Sequence, residues 1–489
     1  MMVLAVAFTS CQKFEELEKD PNRPGEVPPS LVFTNALYNI YYSPWSDAQK
    51  WNQFWCSNYA YYGDQEYDWT TTSFNYNQLK NVNQMITEAK RVGMADNNPY
   101  AAIGKFMKAY YFIDMSMRLG DLPLTDALKS LDNTKPKYDS QKVVFKQALT
   151  WLEEANSDLQ ILNNNLDKSL TGDFMLGNDL KKWQKVVNTY KLRVLINLSK
   201  KESDTDLNIK TLFASVVSNP TKYPVMTSLD DNLKFTYNSS TDKYPLNQDN
   251  YGQTATRNNM SATYLNTLAA LKDPRTFIVA DPAPAKIKTG LTAADFEAYV
   301  GASSGESLDD MSTKMLKGEY SPISKSKYYS SYFGEPCIQI GYAELCFNIA
   351  EAINRGWATG NAEDYYTKGI KASWTFHGVQ NVDAHWDAYY AQTSVKFNNS
   401  LSLALAQILT QKYLAFFQNS GWEAYNNYLR TGVPTFLTGV GTSNSGRIAK
   451  RWQYPSSERT TNADNYKAAL ISQFGAETDD INAGIWILK

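Results

Sequence analysis

Two stretches of the chain interleave flat aromatic rings with short polar side chains. In the first, Tyr59, Tyr61, Tyr62, Tyr67 and Trp69 are mixed with Asn58, Asp64, Gln65 and Asp68; in the second, Tyr320, Tyr328, Tyr329, Tyr332 and Phe333 crowd together. A ring offers an apolar face, while amides and carboxylates offer directional hydrogen bonds. This mixture suits non-covalent capture, in which the C–H face of a sugar stacks on a ring and its hydroxyls reach a neighbouring Asx side chain. We therefore expect Tyr61, Tyr62, Tyr67, Asp68, Trp69, Tyr328, Tyr329 and Tyr332 to contribute to a ligand-binding site. The competing reading is that the rings cover these loops against a scaffold. For any one ring that is the commoner fate, and Trp51 and Trp55, four apart on one helical face, are assigned to packing on that ground.

Residues suited to bond-breaking are not arranged for it. Asp230-Asp231, Asp309-Asp310 and Asp479-Asp480 are acidic pairs, but glycoside hydrolysis needs two carboxyls about 5 Å or about 6.5–9.5 Å apart across the scissile bond, and no local motif marks such a pair. The two histidines, His377 and His385, belong to no metal-ligand or triad pattern. Asp309-Asp310 lacks the oxygen-rich spacing of a calcium loop. No catalytic residue, metal or cofactor is assigned. With a net charge of -2 and no basic block, nucleic acid is excluded as a partner. Cys337 and Cys346 read as small buried thiols.

Positioning these loops falls to helices. Asn98-Pro99 opens a long one, in which Ile103, Phe106, Met107, Tyr110, Ile113 and Met117 recur at helical spacing until Gly120 ends it. Val144, Phe145, Ala148, Leu152, Ala155, Leu159 and Leu162 form a second stripe, and Trp183, Val186, Val187, Tyr190, Leu195 and Leu198 a third. The spacing also predicts helices over Leu31–Tyr42, about 75–91, 339–355, 362–376 and 402–418. Paired helices with internal Ala suggest a mainly α, tetratricopeptide-like scaffold. The interior from about 219 to 335, rich in Ser, Thr, Asn, Gly and Tyr, reads as a loop-rich insert, and 431–464 as a second irregular tract. There are 33 Tyr against 21 Phe, a surplus that fits half-buried contacts with hydrogen-bonded tips better than it fits a ligand platform alone.

At the N-terminus an apolar run, Met2 to Phe8, precedes Thr9-Ser10-Cys11 and then turns polar. The run is too short to span a bilayer, and small residues before a cysteine suit a lipoprotein signal cleaved ahead of a lipidated Cys11. Residues 1–10 are expected to be the signal, 11–29 the anchor and a Pro-rich spacer, and 30–489 a single domain. The membrane would be met through the lipid alone.

Several motifs stand in a familiar order: Phe14-Glu15-Glu16-Leu17, Asp20-Pro21-Asn22, Arg118-Leu119-Gly120-Asp121-Leu122-Pro123, Asp273-Pro274-Arg275, Ala350-Glu351-Ala352, Gln411-Lys412-Tyr413, Arg430-Thr431-Gly432 and Arg451-x-x-Tyr454-Pro455. Together they resemble the SusD/RagB-like outer-membrane lipoproteins of Bacteroidetes, in the second SusD-like family. Leu429 stands where that family often carries an arginine. The resemblance implies a non-enzymatic, surface-exposed lipoprotein that captures oligosaccharide or polysaccharide and delivers it to a TonB-dependent outer-membrane transporter of the SusC type. A peptide-binding, RagB-like importer component is the alternative, and a secreted glycoside hydrolase a more distant one. Arg430 and Arg451 are expected to tie loops together through carboxylates or carbonyls rather than to touch ligand.

Overall fold

The computed structural model describes residues 26–489. The expected signal sequence and the expected lipidation site, Cys11, lie outside the described residues. The principal helices are α1 (Pro29–Tyr38), α2 (Tyr76–Arg91), α3 (Pro99–Leu119), α4 (Gln141–Asn164), α5 (Leu180–Asn197), α6 (Ile209–Ser218), α7 (Tyr342–Asn354), α8 (Ala362–His377), α9 (Leu401–Ala415), α10 (Glu423–Thr431) and α11 (Ala463–Phe474). Consecutive helices pack on one another: α2 on α3, α3 on α4, α4 on α5, then α7 on α8, with α9 closing against both α7 and α8. The fold is mainly α, as the periodicity implied.

The cap chemistry of α3 shows why its limits were readable. The Asn98 side chain accepts a hydrogen bond from the Ala101 amide, Pro99 occupies the first turn, and Gly120 ends the helix at φ +93°. One helix differs from expectation. The apolar pattern over 339–355 begins as strand β4 (Cys337–Ile340), and α7 starts only after Gly341. β4 pairs antiparallel with β2 (Leu233–Phe235), a partner more than 100 residues away that no local pattern reveals. The insert between α6 and α7 also contributes β3 (Asn258–Met260), which pairs with β1 (Trp55–Ser57).

Much of the tyrosine surplus fastens one element to another. The Tyr110 hydroxyl donates to the Ile40 carbonyl at 3.2 Å and Tyr111 to Ala36 at 3.0 Å, joining α3 to α1. Tyr413 on α9 reaches the Asn52 and Gln53 carbonyls at 3.0 and 2.9 Å, and Tyr454 reaches Asp121 at 2.7 Å. Each ring is buried while its tip satisfies a carbonyl that would otherwise be stranded in the interior.

A second device is the buried ion pair. Arg193 on α5 meets Glu344 on α7, Asp273 holds Arg275 with both side chains fully buried, and Arg451 meets Asp479. Arg430 on α10 is paired with Glu351 on α7, so Arg430 and Arg451 are structural ties, as expected. Cys337 and Cys346 are buried free thiols.

Helices α7 and α8 approach closely at Gly369, where an added Cβ would lie 2.7 Å from the Phe347 ring. Gly369→Ala is therefore expected to destabilise the fold by about 1–3 kcal/mol through overpacking. Urea titration of the purified variant against the parent measures this directly.

Candidate functional site

The β1–β3 ladder assembles the site. Ser57 lies opposite Asn258, so the chain leaving β1 runs beside the chain entering β3. The Asn58 amide donates to the Arg257 carbonyl at 2.9 Å, and its side-chain amide to Thr256 at 3.2 Å. Gln65 folds back and accepts from the Ser57 amide at 2.8 Å, closing residues 58–64 into a projecting loop. At its tip the short turn Ala60–Tyr62 exposes Tyr61, 81% accessible, beside Tyr59, 48% accessible. Their centroids are 6.4 Å apart.

Opposite this loop stands the segment 243–257, which sequence reasoning did not nominate. The Arg257 guanidinium lies 4.7 Å from the Tyr59 ring centroid. Tyr251, on the short helix Tyr251–Thr254, carries the Lys325 ammonium 4.3 Å from its centroid. Tyr332 is covered in the same way by Lys243 at 4.1 Å, and its hydroxyl donates to Asp249 at 2.8 Å. Hydrogen bonds from Lys243 and Tyr332 hold the Asp249 carboxyl below its usual range. Each of these three ring–cation pairs thus has one member in the segment 243–257. The available signal was the run of Asn, Asp and Tyr from Asn247 to Tyr251, within the insert already read as ordered loops.

The expected site residues divide. Tyr61, Tyr332 and Asp68 reach the surface, Asp68 as an exposed residue and Tyr332 half-buried; Tyr62 closes the exposed turn. Tyr67, Trp69, Tyr328 and Tyr329 are corrected to core positions. Trp69, 6% exposed, stacks on Trp452 with centroids 3.7 Å apart, and its edges meet Trp51 and Tyr425. Tyr67 donates from its hydroxyl to the Trp51 carbonyl at 2.7 Å. Tyr328 is fully buried between Trp45 and Tyr244. Tyr329 is 2% exposed, packs on Tyr251 and bonds Thr254, and burial pushes its phenol up to about 12. Tyr328 and Tyr329 pack against the segment 243–257, Tyr67 and Trp69 against Trp51 and Tyr425 or Trp452, and all four leave almost no ring surface for a ligand. Trp51 is packed against Trp69 and Trp422, as expected.

Among the described residues, no group of three or more His, Cys, Asp or Glu side chains converges as a metal site. Nor is any described helix long and apolar enough to cross a membrane.

A helical scaffold that presents aromatic and cationic side chains on inserted loops defines a ligand-binding protein. The family model SusD-like_2, described as starch-binding and associating with the outer membrane, matches residues 21–455, and the chain belongs to this family. A SusD homologue of Bacteroides fragilis NCTC 9343 is 32% identical, with a TM-score of 0.84 over 95% of this chain and 100% of that one. A second homologue from the same organism is also 32% identical, with a TM-score of 0.82 over the same shares. A chitin-binding SusD homologue of Flavobacterium johnsoniae has the same fold at 20% identity, with a TM-score of 0.74 over 94% of this chain and 98% of that one. No curated protein matches the chain. The resemblance carried by the motifs is thus borne out, and the family is one of glycan-binding proteins of the outer membrane.

Proposed function

We propose that this chain captures oligosaccharide or polysaccharide on the face formed by residues 58–64, 243–257 and 325–333, and hands it to a TonB-dependent outer-membrane transporter. The observation that carries this reading is the exposed pair Tyr59–Tyr61, held beside Arg257 by the β1–β3 ladder. Sugar rings would stack on Tyr61 while Arg257 takes hydroxyls. The site binds without catalysis. Lipidation at Cys11 would anchor the single domain at the cell surface behind its Pro-rich spacer, and a multivalent polymer would offset weak single contacts through local concentration.

Affinity electrophoresis of the protein through gels containing starch, chitosan or other polysaccharides tests the reading, together with calorimetry against soluble chitin oligosaccharides and a peptide digest. Retardation in a glycan gel is expected. Tyr61→Ala should weaken it about tenfold, since a stacked ring contributes about 1–1.5 kcal/mol. Heat from the peptides with no retardation would move the chain to peptide capture, and time-dependent shortening of a polysaccharide would make it a hydrolase.

A further inference from the structure

Away from the loop face, the ends of α5, α7 and α10 and the first half of α9 enclose a pocket of about 560 Å³. Its charged lining is unbalanced: Lys200, Arg355 and Arg430 face one carboxylate, Glu202. Glu202 is already engaged, accepting from the Trp357 indole at 2.8 Å and lying 3.6 Å from the Lys210 ammonium. Behind the pocket, Glu351 is shared by Arg430 and Arg355. Arg430 is 6% exposed, and its Nε has no hydrogen-bond partner among the described residues. Arg355 gives its Nε to Glu351 at 2.9 Å, and its two Nη groups make no hydrogen bond among the described residues. Burial, chiefly, pushes the neighbouring Lys412 ammonium down to about 8, against the Glu351 carboxylate, which raises it.

One wall is apolar. Leu405 and Leu409 line the pocket, and Leu401, 69% exposed, continues the same i, i+4 stripe to the surface of α9. A planar guanidinium pair favours a carboxylate, and an aliphatic stripe without aromatic rings favours hydrocarbon side chains over sugar faces.

We propose that this pocket binds an acidic, leucine-type amphipathic peptide segment of a partner protein, a side-chain carboxylate entering between Arg355 and Lys200 while apolar neighbours cover Leu401 and Leu405. The site is separate from the nutrient face and independent of the reading proposed for it.

The test titrates full-length protein with an acetylated, amidated hexapeptide of alternating Leu and Glu, with the same peptide carrying Gln for Glu, and with trigalacturonate. The Leu/Glu peptide is expected to bind about tenfold more tightly than the Leu/Gln peptide, as loss of a charge-assisted contact implies. The double variant Lys200→Gln, Arg355→Gln should lose that preference while keeping its circular dichroism. Lys200→Glu, at an exposed position, gives the same readout without touching the Glu351 cluster. Equal binding of the two peptides, unchanged binding by Lys200→Glu, or tighter binding of trigalacturonate than of peptide would each overturn the proposal.

Discussion

Glu351→Gln should lower the stability of the folded chain by about 3–5 kcal/mol, because removing one member of a buried ion pair leaves the other without compensation. Arg430 donates to both Glu351 oxygens, the Oε2 contact at 2.8 Å, and Arg355 adds a third bond at 2.9 Å. The amide oxygen can accept two of these, those to Oε1, but the amide nitrogen accepts none, and the amide neutralises neither guanidinium, nor Lys412 beside them. The carboxyl itself reports the balance. Burial alone would raise it, yet the Arg430 guanidinium, with Lys412 and Arg355, outweighs burial and holds it at about 2 against an ordinary 4.5. Because the folded-state value is the lower one, this stabilisation is complete above about pH 4.5 and drains away as pH falls toward 2, to the extent of about 3 kcal/mol. Urea unfolding at neutral pH and at successive steps below pH 4.5 should show the parent losing stability through that window and Glu351→Gln losing less. Equal slopes for the two proteins would mean that other carboxylates dominate acid unfolding.

Trp69→Ala is the second large effect, and it falls on the fold rather than on the ligand. Deleting a buried indole costs about 3–5 kcal/mol. Here it would open a void against Trp452, Trp51, Tyr67 and Tyr425, whose rings surround it. Tyr61→Ala, at an exposed position, should leave stability within about 0.5 kcal/mol of the parent while weakening ligand. Measured side by side, denaturation and glycan retardation should therefore separate: Trp69→Ala shifts the first and, at temperatures where it remains folded, spares the second, and Tyr61→Ala does the reverse. If Trp69→Ala bound ligand poorly while fully folded, the indole would belong to the binding face after all.

The contrast between these two aromatics shows what could be read from the chain. Burial alternates through residues 65–70, as it does where successive side chains point to opposite sides. Gln65, Tyr67 and Trp69 are buried, while Asp68 and Thr70 are exposed. That period of two was visible in the Tyr-Asp-Trp order and distinguishes core rings from solvent-facing carboxylate, although composition alone merges them into one aromatic loop. Helices such as α3 were readable because cap, stripe and terminating glycine are all local. β4 was not, since three of its four residues, Cys337, Ile338 and Ile340, are apolar on either reading and only its distant partner β2 makes them a strand. Arg257, Lys243 and Lys325 were missed for the same reason. An isolated cation in a polar loop has no pattern of its own, and its meaning comes from the ring that folding brings beneath it.

The ladder between β1 and β3 has a consequence for when the protein becomes useful. Asn58 and Thr256, joined across it, are 198 positions apart in the chain. Closing so long a loop is slow compared with forming helices from neighbouring residues, so α2 to α5 can assemble while the proposed binding face is still two unconnected ends. A nascent chain that stops before Asn258 would keep α2 to α5 yet lack β3 and the segment 325–333. Capture is thus a property of the finished molecule alone, and recovery of glycan retention after refolding should trail recovery of helical dichroism.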